Sequence, residues 1–84
     1  MDMPITPGTV YASRRGQRYA VRMSSPGRYG IFWCSAQSGQ WYVLPGEGSY
    51  SDRTRAEAVL AELAEDLGMT DTGCVVGGAI YWEV

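Results

Sequence analysis

Arg18, Arg22 and Arg28, with Tyr11 and Tyr29, are the residues of this chain best suited to recognition chemistry. A guanidinium fork pairs bidentately with phosphate or carboxylate and stacks on flat rings, and sheets carrying both residue types serve as nucleic-acid platforms. Trp33, Trp41, Tyr42, Tyr81 and Trp82 form a second group. Indole and phenol rings combine large apolar area with a polar handle, the chemistry of protein-interface hot spots. The predicted partner-binding set is therefore Tyr11, Arg18, Arg22, Arg28, Trp33, Trp41, Tyr42 and Trp82. Each has a plainer competing role. Arginine stems can cover apolar surface while their heads pair with acids, and bulky rings can simply fill the core of a small domain.

Catalytic chemistry has little to work with. The chain has no His and no Lys, which removes the imidazole base or ligand, the Schiff-base lysine and the phosphate-loop lysine. Cys34 and Cys74, without His, cannot close a zinc site, and their apolar surroundings predict buried free thiols. Gly46-Glu47-Gly48-Ser49 lacks the spacing of a phosphate loop and reads as plain loop. Asp52 with Glu57, and Glu62 with Glu65 and Asp66, could be imagined as paired carboxylates, but surface helix charge explains them more simply. No catalytic residue, metal ligand or cofactor is predicted, and the chain is expected not to be an enzyme.

Charge is sorted along the sequence. Residues 1–28 carry five Arg against Asp2, a net of +4; residues 29–55 balance; residues 56–84 carry six acids and no base, a net of −6. This predicts one basic, aromatic surface and one acidic surface, an arrangement suited to binding another macromolecule. With 45% hydrophobic residues and a net charge of −2, the chain is expected to fold rather than remain disordered. The N-terminus reads as no signal peptide and no apolar run approaches membrane-span length, so a cytoplasmic protein without a membrane partner is expected.

Eighty-four residues suit a single small domain, 1–84, near the size at which dimerisation is common. Alternating segments at 9–14 and 17–23 predict a hairpin turning at Arg15-Gly16, which pairs Val10 with Val21 and Ala12 with Tyr19. Tyr19, Val21 and Met23 then share a core face, and Arg18 and Arg22 a basic, solvated one. Ser24-Ser25-Pro26-Gly27 is a turn, and a second hairpin spans 29–36 and 40–44, with Phe32, Cys34, Trp41 and Val43 on one face and Ile31, Trp33, Tyr42 and Leu44 on the other. A helix is predicted over 55–67, opened by a capping box of Thr54 and Glu57, closed by Gly68, and apolar along Ala56, Val59, Leu60, Leu63, Ala64 and Leu67. Residues 69–73 read as connector, and 74–76 and 79–84 as strands. The predicted fold is α+β: an antiparallel sheet of four to six strands, ββββα followed by β or a β-hairpin, packed against one helix.

The order of strands followed by a helix opening Thr54-Arg55-Ala56-Glu57-Ala58 resembles the arm-type DNA-binding domain of phage integrases, over about residues 9–67. That resemblance implies a nucleic-acid-binding β-sheet module. In size and lack of catalytic groups the chain is also similar, by class only, to the small inhibitors that phages and mobile elements make against host defence, such as anti-CRISPR proteins. The first functional expectation is an interaction protein binding a larger protein or nucleoprotein; nucleic acid is the second partner class, and a homodimer is compatible with both.

Overall fold

A computed structural model describes residues 8–47 and 49–75, with backbone alone for Val75. Five antiparallel strands and one helix make up this part: β1 Thr9–Ala12, β2 Arg18–Ser25, β3 Arg28–Cys34, β4 Trp41–Val43, α1 Arg53–Leu67 and β5 Thr70–Val75. Their order across the sheet is β4-β3-β2-β1-β5. This is the predicted α+β arrangement. The sequence segment 79–84 and Val76 lie outside the described residues.

Each hairpin follows from its turn. Pro26-Gly27 links β2 to β3, with Gly27 at φ +71°, the backbone that a Pro-Gly turn supplies without strain. Between β1 and β2 the loop has three residues, Arg14-Arg15-Gly16, where two were expected. Ser13 N–H donates to Gln17 O at 2.7 Å and Gly16 N–H to Ser13 O at 3.0 Å, while the Ser13 hydroxyl accepts from Gln17 N–H. The extra loop residue shifts the register, so Tyr11 faces Tyr19 and Ala12 faces Arg18. Tyr11 thereby joins Tyr19 and Val21 on the core face, in the place predicted for Ala12.

The helix start also differs from its prediction. Asp52, in extended conformation, is the N-cap and accepts from Thr54 N–H at 2.9 Å, so Thr54 lies inside the first turn. Asp and Thr are both good caps, and spacing alone could not choose between them. At the other end Gly68, at φ +67°, closes the helix as predicted, and Met69 N–H reaches back to Ala64 O at 2.8 Å. The helix lays Ala56 and Leu60 on Val21 and Ile31 to make the core, with Tyr11, Tyr19, Tyr29, Leu44, Tyr50, Val59, Leu63 and Met69 packed around them. Leu67, predicted to complete that stripe, is 58% exposed at the last turn.

The connector predicted at 69–73 is largely strand. Immediately after the helix cap the backbone pairs with the free edge of β1, placing Thr70 opposite Ala12 and Asp71 opposite Tyr11. Thr70, Asp71, Thr72, Gly73 and Cys74 are all exposed, so no alternation of apolar residues marked this segment. An irregularity between Thr9 and Tyr11 interrupts the pairing near Gly73, which sits at φ +78° and donates to the Asp71 carboxylate at 2.8 Å. Pro45 to Tyr50, read as loop, runs beside β3: Ile31 N–H donates to Glu47 O, and Tyr29 and Tyr50 exchange two backbone bonds of 2.7 Å.

Candidate functional site

Strand registers place four rings in one row. Tyr11 faces Tyr19, Tyr19 faces Trp33, and Trp33 faces Tyr42, across β1 to β4 on the helix-bearing side. The first two are packed on the core and the Tyr11 phenol is held above its ordinary pKa, first by burial and then by Asp71 and Glu57. The outer two are more open. Trp33 is half-buried and Tyr42 is 40% exposed, with ring centroids 5.2 Å apart and tilted by 37°. The Tyr42 hydroxyl donates to Gln40 Oε1 at 3.0 Å.

One row nearer the loops, on the opposite face, Ala12, Arg18, Cys34 and Trp41 stand side by side. Arg18 is exposed and Trp41 half-buried. Beyond this row the β1–β2 loop carries Arg14 and Arg15, both exposed, and its Gly16 approaches Ala36 of the β3–β4 loop, with 3.9 Å between Ala36 Cβ and the position of a Cβ on Gly16. Gly16, Arg18, Cys34, Ser35, Ala36 and Gly39 line a half-open cavity of about 210 Å³.

The predicted site is therefore split. Tyr11, Trp33 and Tyr42 share a row, and Arg18 and Trp41 share the neighbouring one. Arg28 stands past the β2–β3 turn at the far end of the sheet, roughly 20 Å from Arg18 at strand rise. Arg22 shares the face of Arg18 but is only 5% exposed. Burial lowers its guanidinium pKa, and Arg53 lowers it further. Trp82 lies outside the described residues, as does Tyr81. The face predicted to be basic and solvated is in fact packed: Ala20 and Phe32 are fully buried, and Val10 and Cys34 nearly so. An apolar row of Ala20, Phe32 and Val43 crosses three strands between the two arginines and carries Arg22 inward with it.

Charge sorting along the chain does not become separation in space. The Arg14 guanidinium lies against the helix end, 3.5 Å from where a Cβ on Gly68 would stand, so the basic loop meets the helix that bears Glu62, Glu65 and Asp66. A cation at that end also favours the helix dipole, which the helix's own last turn, with no base, does not satisfy. Glu57, predicted as the capping-box acid, instead points into the protein at 5% exposure. Its Oε2 accepts Gly8 N–H at 2.6 Å and faces Arg53 Nε at 3.5 Å, while Oε1 has no hydrogen-bond partner. Burial raises its carboxyl pKa, outweighing the Gly8 bond and Arg53. Tyr50 is likewise shifted upward, chiefly by the hydrogen bond its hydroxyl donates to Glu47.

Both cysteines are free thiols; Cys34 is buried, whereas Cys74, predicted to be buried, is exposed on β5. Among the described residues no group of three His, Cys, Asp or Glu could hold a metal ion, and no helix is long and apolar enough to cross a membrane. Sequence reasoning missed Arg14, Arg15 and the Ser35 to Gly39 loop as surface chemistry. The available signal was two consecutive arginines at a hairpin tip, read only as part of a turn. Compared with family models, with curated proteins and with solved structures, the chain matches none of them.

Proposed function

We propose that this chain is a small non-enzymatic interaction module, acting in the cytoplasm, that docks a larger protein or nucleoprotein through the loop end of its sheet. A phage or mobile-element inhibitor of host defence is the class of role that such a module fits. One observation carries the reading: exposed Tyr42, its ring tilted against half-buried Trp33, shares one end of the sheet with exposed Arg14, Arg15 and Arg18. None of these three arginines has an ion pair among the described residues. Aromatic and arginine side chains together are the composition of interface hot spots.

The test is retention of a partner from a lysate of the organism that carries the gene, with and without nuclease. A partner that survives nuclease and is lost on Tyr42→Ala, with folding unchanged, supports the reading. Binding that vanishes with nuclease, falls steeply with salt and depends on Arg18 would replace it with the nucleic-acid reading.

A further inference from the structure

We infer that the cavity between the two hairpin loops is an anion subsite that takes a carboxylate from an acidic peptide segment of the partner. This rests on the docking surface proposed above and gives it a chemistry. Arg18 is the only charged residue in the lining, and the remainder is a thiol, a hydroxyl, a methyl and two glycines. At about 210 Å³ the space is smaller than the several hundred Å³ of a typical small-molecule pocket and suits the head of one side chain.

Ser35 points to the sign of the ligand. Its Oγ already accepts N–H bonds from Gln37 at 3.2 Å and Ser38 at 3.4 Å. A hydroxyl with its acceptor sites so engaged has its own proton left to give. Arg18 likewise has only donors, arranged in a fork that matches a carboxylate. Both polar side chains of the lining therefore ask for an acceptor. The walls are held in place beforehand: Gly39 N–H donates to Ser35 O at 2.9 Å and Ser35 N–H to Gln40 O at 3.1 Å, facing the closed Ser13 to Gln17 loop.

The surroundings favour a short acidic segment over nucleic acid. Affinity for a polyanion grows with the number of phosphates neutralised along its length. At this end of the sheet the exposed guanidinium groups are only those of Arg14, Arg15 and Arg18, while exposed Glu62, Glu65 and Asp66 line the helix that Arg14 touches, and Asp71 extends the aromatic row. A long polyanion would run onto these carboxylates; a few acidic side chains at the loop end would not.

The experiment titrates the whole chain with a hexaglutamate peptide, and separately with an oligothymidylate of matched charge, following backbone amide resonances. The peptide is expected to shift Ser35, Ala36 and Gly39. Arg18→Gln, an exposed change, is expected to weaken it by about tenfold or more, as loss of a charge-assisted hydrogen bond does. Ala36→Glu, which adds a carboxylate to the lining, is expected to abolish it with Arg18 in place, and Arg28→Gln, at the far end of the sheet, to change nothing. The inference is overturned if the peptide moves no cavity amide, if Arg18→Gln binds as tightly as wild type, or if the oligothymidylate binds the cavity more tightly than the peptide. Such a failure leaves partner retention through Tyr42 standing as a separate result.

Discussion

Glu57 offers the sharpest test of the packing argument, through paired Glu57→Ala and Glu57→Gln variants. Removing the side chain to Cβ leaves the buried Gly8 N–H without its acceptor, a loss of about 1–3 kcal/mol. It also empties the space of the buried Cγ methylene, about 0.8 kcal/mol. Gln keeps the acceptor and the methylene, and gives up an ion pair to Arg53, whose side chain is 29% exposed; that pair is worth about 1 kcal/mol or less. In return Gln removes a charge that burial disfavours. The Gln variant is therefore expected within about 1 kcal/mol of wild type at neutral pH, and the Ala variant about 2–4 kcal/mol below Gln. The pH dependence has a definite sign. Because the native carboxyl titrates above its ordinary value of 4.5, the folded state binds more protons than the unfolded state between 4.5 and the raised native pKa. Stability from this group therefore falls as pH rises through that window and is flat above it. Urea denaturation at several pH values measures the difference between wild type and Glu57→Gln, which cancels the other carboxylates. If Gln proves as destabilising as Ala, or if wild type gains on Gln as pH rises from 4.5 to 7, the Arg53 pair outweighs desolvation and the reasoning is wrong.

Three further outcomes follow from local geometry. Asp52→Ala should lower stability by about 1 kcal/mol through loss of the helix cap, whereas Thr54→Ala should change it little; chemical denaturation of both variants distinguishes the two cap assignments. Gly68→Ala forces a side chain onto φ +67° within 3.5 Å of the Arg14 guanidinium and should cost about 1–2 kcal/mol, read as a lowered melting temperature. Phe32→Ala should cost about 3–5 kcal/mol while Tyr42→Ala stays close to wild type in stability, since one ring is fully buried and the other 40% exposed; comparable losses would contradict the assignment of Tyr42 to a binding surface.

Much of the architecture was legible because it rests on local chemistry. Pro26-Gly27 dictates a turn, Gly68 a helix end, and the alternation through 29–44 sorts Phe32, Cys34, Trp41 and Val43 from Ile31, Trp33, Tyr42 and Leu44, as the observed pairs do. The helix stripe from Ala56 to Ala64 is read in the same way from its spacing. Residue types alone also singled out Arg18, Trp33, Trp41 and Tyr42, which lie near one end of the sheet but divide between its two faces, Trp33 and Tyr42 on one and Arg18 and Trp41 on the other.

Tertiary structure decided what depends on partners distant in the chain. One extra loop residue at Arg14 to Gly16 moved Tyr11 to the core face, a choice between turn lengths that composition leaves open. Strand β5 exists because the edge of β1 offers backbone partners to a segment whose own side chains are exposed. Arg22 and Glu57, polar by sequence, became interior because their neighbours on the same face are apolar or their partner is the Gly8 amide, 49 residues away. Periodicity reports which side chains point together; only the folded chain determines which of those faces is left in water.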